Sequence, residues 1–251
     1  MTGNVVVIKL YYIQIAIVVF LCSVTISWAD ADHGLFEQVL VGNVVDGEVN
    51  YLQIAENESF EKYLQQLAKP QSSQDKSEQL AYWINAYNAF AIKGILDGRS
   101  PSTFLGRIGY FKKAKYEIAG RNINLYDLER DIIIPYGEPR IHFAINCASA
   151  SCPKLFSKVY TAQNLEQQLE KSAYLFIGDE SRNRFDQEKK VAHLSKIFDW
   201  FEKDFKDHSG SVQKYIAQYV EDPELAVQLK NEEYRIKYMK YDWGLNGTAP
   251  R

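Results

Sequence analysis

The chemistry-bearing residues of this chain concentrate in Arg140–Leu155, RIHFAINCASASCPKL, which holds one of its four histidines and two of its three cysteines. An imidazole near a thiol is the pairing that activates sulfur for attack on a carbonyl. Read as a strand, Arg140–Asn146 turns Ile141, Phe143 and Ile145 toward a core and Arg140, His142, Ala144 and Asn146 toward the opposite side. At about 3.3 Å per residue, an unbroken strand carries Cys147 about 16 Å from His142, so Cys147 needs an immediate chain reversal to meet the imidazole. Cys152 is better placed, because the small residues Ala148–Ser151 can fold the chain back alongside the strand. Pro153 favours a helix beginning there with Cys152 at its cap, and the N–H groups of such an end stabilise a thiolate and an oxyanion.

Three readings of the segment compete. In the first, Cys152 is a nucleophile served by His142 as general base and then acid, in a cysteine hydrolase or an acyl or amide transferase. The second is a Cys147–Cys152 disulfide stapling a non-catalytic binding or interaction module; closing so short a loop contributes only about 2 kcal/mol. The third is a metal site at His142, Cys147 and Cys152, although H-x4-C-x4-C lacks the tight spacing of common zinc sites and needs a fourth ligand. No Gly-rich phosphate loop is present, and no cofactor is called for.

The elements that must position these residues are legible from periodicity. Asp75 caps a helix with Glu78 three residues on, Gly98 follows its end, and Leu80, Trp83, Ile84, Tyr87, Ala91 and Ile95 recur at helical spacing. Asn85 and Asn88 fall at the edge of its wide apolar arc. Buried amides need partners, so these either bond to a loop backbone or orient a histidine or substrate in a site. Helices are also predicted over Leu35–Val41, Asn57–Ala68, Asn124–Ile133, Thr161–Ile177 and Ser211–Val220, after Ser195, and from Asp222-Pro223. A turn is predicted at Asp46-Gly47, and hairpins around Gly120 in Tyr116–Leu125 and over Arg184–Leu194. Tyr234–Trp243 has strand alternation, Arg99–Lys115 reads as irregular, and Gly244–Arg251 as a frayed tail. The predicted class is α+β: a single domain over 30–251, with several helices packed on a small, mostly antiparallel sheet.

The chain has 251 residues, 46% hydrophobic, with 29 basic and 32 acidic side chains and a net charge of -3. With no basic stripe, nucleic acid is not an expected partner. Residues 1–29 read as a signal peptide: Lys9 precedes the apolar run Leu10–Leu21, and Ser27-Trp28-Ala29 supplies a cleavage site. The apolar tract also nears the length of an uncleaved anchor, which would be the chain's one membrane contact. Either way the domain is expected in the periplasm or cell envelope, where an even pair of cysteines makes a disulfide a serious possibility.

AYWINAYNAF (81–90), RIHFAINCASASCP (140–153), LSKIFDWFEKDF (194–205) and YDWGLN (241–246) resemble, in order, the signature blocks of the domain-of-unknown-function 547 family. The resemblance runs from about His33 to Asn246. It implies family positions at Trp83, Asn85, Tyr87, Asn88, His142, Cys147, Cys152, Pro153, Ser195, Phe198, Trp200, Asp204, Asp242, Trp243 and Asn246, but not at His193. It makes Asn85, Asn88, Asp204 and Asp242 candidates to orient His142, with Asn88 or Asp242 foremost, and leaves Trp83, Phe198, Trp200 and Trp243 to pack around them. Arg140, Asn146, Cys147 and Tyr87 complete the candidate binding set, for a small-molecule or peptide-like substrate.

Overall fold

Asp75 starts the longest helix, Lys76–Leu96, by accepting the Glu78 N–H at 2.8 Å. Every residue from Leu80 to Ile92 is buried, so this helix is a spine enclosed on all sides rather than an amphipathic surface helix. The computed structural model describes residues 31–248, and the predicted export segment lies outside the described residues. No helix among the described residues is long and apolar enough to cross a membrane.

The class is α+β, as the sequence predicts, but the strands among the described residues form three small sheets instead of one. They are β1 (Val44–Val45), β2 (Glu48–Asn50), β3 (Tyr116–Ile118), β4 (Arg121–Ile123), β5 (Arg184–Asp186), β6 (Val191–Leu194), β7 (Arg235–Tyr238) and β8 (Gly247–Thr248). The predicted hairpins β3–β4 and β5–β6 are antiparallel, as is β1–β2 across the predicted Asp46-Gly47 turn, while β8 joins β2 and β7 joins β6 in parallel. The Asp46-Gly47 turn has both residues at positive φ, 51° and 87°, as a tight hairpin requires.

Two local expectations fail for identifiable reasons, and one predicted helix forms with a change of winding. Gly244–Thr248 is not a frayed tail: β8 lies so close to β2 that a Cβ on Gly247 would meet the Val49 carbonyl oxygen at 2.0 Å. Arg99–Lys115 is not irregular, since a Thr103-capped turn, Phe104–Arg107, runs into a π-helical segment, Ile108–Lys113. The Asn124-capped helix likewise widens into a π-helical segment over Leu128–Ile133.

The largest difference is at the centre. Arg140–Asn146 is not a strand; Pro139–Phe143 is a 3-10 turn, started by Pro139 and by Glu138 accepting the Arg140 N–H. Alternation misleads here because Ile141–Asn146 is buried throughout, so apolar spacing does not separate an inner from an outer face. The turn lies between two apolar clusters. Ile141, Ala144, Ile145 and Ala148 belong to one, built on the long helix. Phe143 belongs to the other, with Phe176, Phe198, Phe205 and Tyr215. No helix starts at Pro153 either; the next begins at Ala162.

Candidate functional site

The long helix holds the central segment through side-chain amides that act as backbone clamps. Asn88 donates Nδ2–H to the Ala144 carbonyl (3.0 Å) and accepts the Asn146 N–H on Oδ1 (2.7 Å). One turn earlier, Asn85 does the same to Tyr160, at 2.8 and 2.9 Å. Each amide is buried and clamps backbone with both its nitrogen and its oxygen, and neither is hydrogen-bonded to His142, so the loop-backbone alternative describes them. Replacing Asn88 by Ala strands two buried backbone groups, each costing about 1–3 kcal/mol. The expected result is a stability loss of about 2–4 kcal/mol in urea unfolding, against little change for an exposed control such as Gln163→Ala.

Asn146 is also an organiser rather than a binding residue. Its Nδ2 donates to the Pro153 carbonyl (2.7 Å), and its Oδ1 accepts from the Ala148 N–H and from Asn246 Nδ2. Arg140 is fully engaged by Glu138, Glu166 and Glu170, and its pKa is raised first by the hydrogen bonds to Glu138 and Glu166. Asp242 is exposed, and its carboxylate accepts the Gly244 N–H within its own turn. It does not reach His142.

The carboxylate that does is Asp204, whose Oδ2 lies 2.8 Å from His142 Nε2. The imidazole is buried, stacked on Phe201 at 3.8 Å. Burial lowers its pKa, against the opposing bond and charge of Asp204, with Arg130 adding to the lowering. The hydrogen bond to His142 holds Asp204 ionised, with a lowered pKa, despite partial burial. A neutral imidazole beside a carboxylate keeps its proton on Nε2. Nδ1 is then a lone-pair acceptor, and it is buried without a hydrogen-bond partner.

The two cysteines are free thiols and sit in different electrostatic environments. Cys152 is 4% exposed, and its sulfur accepts the Cys147 N–H at 2.8 Å. Burial drives its pKa well up, as does the neighbouring Cys147 sulfur. At Cys147 burial also raises the pKa, but donors outweigh it and bring it down to about 7: the Cys152 thiol, the Ser149 hydroxyl and N–H, and the Tyr241 hydroxyl. Ser149 Oγ is 3.0 Å and Tyr241 OH 3.2 Å from the Cys147 sulfur, and the two hydroxyls are 3.0 Å apart. Between Cys147 and Ser149, buried Ala148 adopts φ 60°, a left-handed conformation that costs a side-chain-bearing residue about 1–2 kcal/mol. That turn lets Ser149 present both donors to the sulfur.

Cys152, the thiol expected to be the nucleophile, is thus the more enclosed of the two sulfurs. Neither cysteine is hydrogen-bonded to His142. The amides expected to form an oxyanion site near Cys152 are also taken, since Ala150, Ser151 and Cys152 donate to Gly244, Asp242 and Ser149 carbonyls. Nor do the three residues form a metal site: among the described residues no group of three His, Cys, Asp or Glu side chains could hold an ion.

What unites His142, Cys147, Cys152 and Tyr87 is a cavity of about 400 Å³, whose remaining wall comes largely from aromatic residues, Phe111, Trp200, Phe201, Tyr241 and Trp243 among them. This is the size and character of a small-molecule site. Trp200 and Trp243 line it rather than packing behind it. The two π-helical segments, whose wider turns are frequent at functional sites, supply Ile108, Phe111 and Lys112 from one side and Glu129 and Arg130 from the other.

Glu129, Ser149 and Tyr241 are the site residues that sequence reasoning missed. Burial raises the Glu129 pKa to about 7, Arg130 opposes the rise, and the Cys147 and Asp204 charges add to it. Its signal was available: at helical spacing Glu129 falls on the stripe of Leu125 and Leu128, a carboxyl among apolar positions. Tyr241 had no local signal, because its hydroxyl arrives through pairing of the C-terminal segment with 148–151.

No curated protein and no solved structure matches the chain. Residues 71–177 match the model of the family described as "Protein of unknown function, DUF547", a shorter span than the resemblance over 33–246 implies. Within that span lie the clamping helix, both π-helical segments, Glu129, His142 and the two cysteines, while Asp204 and Tyr241 complete the cavity from beyond it; the region 71–177 is what the chain has in common with the DUF547 family.

Proposed function

We propose that the cavity is the active site of a thiol-dependent acyl or amide hydrolase or transferase, with Cys147 as the nucleophile. The observation that carries this reading is the placement of the Cys147 sulfur in the cavity wall with the Ser149 and Tyr241 hydroxyls 3.0 and 3.2 Å from it, donors that lower its pKa. The thiolate is then present at neutral pH without a general base. It attacks the carbonyl carbon, and the charge leaves sulfur for the carbonyl oxygen. The Ser149 and Tyr241 hydroxyls, no longer required by a thiolate, become available to the oxyanion. Glu129, with a pKa near neutrality, gives its proton to the departing amine or alcohol as the C–N or C–O bond breaks. Water or an acceptor nucleophile then releases the acyl group from sulfur, its proton passing to the Glu129 carboxylate or to the His142 Nδ1 lone pair. Asp204 acts as a positioning residue by fixing the His142 tautomer.

The test is acylation of the reduced protein by a panel of p-nitrophenyl esters, read by intact mass and peptide mapping. One acyl group is expected on Cys147, and Cys147→Ala should lower turnover at least about a thousandfold. Cys152→Ser should still acylate. Fully reduced protein that takes no acyl group on Cys147, or turnover surviving Cys147→Ala, would defeat the reading. Export, which we propose from residues 1–29, makes the redox state of the pair in native material part of the same measurement.

A further inference from the structure

The cations of the cavity wall are not ion-paired, although Arg130 lies within electrostatic reach of Glu129 and Asp204. Arg107, Lys112 and Arg130 all line it, and none forms an ion pair among the described residues, although Arg140 and Arg182 elsewhere are taken up by carboxylates. The only carboxyl in the same lining is Glu129, which burial keeps partly protonated at neutral pH. Each cation instead lies over an aromatic ring: Arg107 over Trp243 at 4.6 Å, Arg130 over Phe201 at 4.8 Å and Lys112 over Tyr126 at 4.1 Å. A guanidinium stacked on a ring keeps its in-plane N–H edge free for a carboxylate or phosphate. Arg107 spends one such donor on the Pro101 carbonyl at 3.3 Å.

These two arginines bracket the reacting groups. Trp243, under Arg107, packs at 4.5 Å on Tyr241, whose hydroxyl touches the Cys147 sulfur. Phe201, under Arg130, stacks on His142. A ligand filling the aromatic chamber therefore meets a free cation beyond either wall.

We infer that the cavity takes an amphipathic anion: a flat apolar body that fills the aromatic chamber, bearing a carboxylate or phosphate held at one wall, by Arg107 or by Arg130. This deepens the acyl-transfer reading by naming its substrate class, and it rests on that reading for the placement of a reacting carbonyl at Cys147. Lys112, exposed at the rim, adds long-range attraction.

The experiment is calorimetric titration of the Cys147→Ser protein, which cannot form a thioester, with 2-naphthoate, 2-naphthyl phosphate and neutral 2-naphthamide. At low salt at least one anion is expected to bind ten times or more tighter than the amide, and the better anion tells carboxylate from phosphate as the recognised group. Raising salt to 0.5 M should erode the preference, as should Arg107→Gln with Arg130→Gln at an unchanged Tm. The salt arm stands even if that double variant does not fold. Equal binding of the amide, a preference insensitive to salt, one that survives in the folded double variant, or no binding of any probe would overturn the inference. Anion preference without acylation of wild-type Cys147 would sink the acyl-transfer reading alone.

Discussion

Iodoacetamide is expected to modify Cys147 of the native, reduced protein with a rate that rises through a midpoint near pH 7, while Cys152 stays unmodified to pH 9. The thiolate is the reactive form, so the rate climbs as pH passes through the thiol pKa. At pH 7 about half of Cys147 is ionised, against roughly 1% for a thiol titrating near 9, a gain of about fiftyfold. A thiolate of lower basicity is also less nucleophilic, by about eightfold for two pH units, which leaves a net advantage of about sixfold. The donors that outweigh burial at Cys147 are nearby side chains, so Tyr241→Phe should move the midpoint upward. Peptide mapping of a quenched pH series decides the matter. A midpoint at ordinary thiol values, or Cys152 reacting first, would remove the ground for Cys147 as nucleophile. The same shift has a stability consequence: a depressed folded pKa favours the native state above the unfolded pKa, and that contribution is lost as pH falls through about 7.

Glu129→Gln is expected to stabilise the protein at pH 8 and to do nothing for it at pH 4. The Glu129 pKa is raised from 4.5 to about 7, chiefly by burial, so the native state holds a proton that the unfolded chain releases. Wild-type stability from this group is therefore full below about 4.5 and falls as pH rises to about 7. The full conversion is about 3 kcal/mol. Because the residue is only half-buried, solvent screening reduces the expected gain from Gln at pH 8 to about 2 kcal/mol. Urea melts at pH 4, 6 and 8 would trace the crossing. In the proposed reaction the same substitution removes the proton donor to the leaving group, so turnover should fall as stability rises, a trade-off common where function requires a strained site. A variant no more stable than wild type at pH 8 would show that Glu129 is not held in an unfavourable environment.

Most elements were legible because their signals are local. Asp75 and Asn57 cap helices by bonds to residues two or three positions on, Asp46-Gly47 closes its hairpin, and Asp222 accepts the N–H groups of Glu224 and Leu225 ahead of a Pro-started helix. Those interactions span a few residues, and residue type alone decides them. The central segment was misread as a strand because periodicity distinguishes an inner from an outer face. Between two apolar clusters there is no outer face.

The sequence by itself determined which residue types gather around Arg140–Leu155, and the family resemblance put Asp204 among four candidates to orient His142. Tertiary structure decided their roles, because a role depends on the free valences left after packing. Asn85 and Asn88 spend both amide groups on backbone, and Arg140 spends its guanidinium on three glutamates. Cys152 is enclosed while Cys147 receives Ser149 and Tyr241. Spacing cannot rank two thiols five residues apart, since burial and the donors facing each sulfur set its pKa, and one of those donors arrives from 94 residues along the chain.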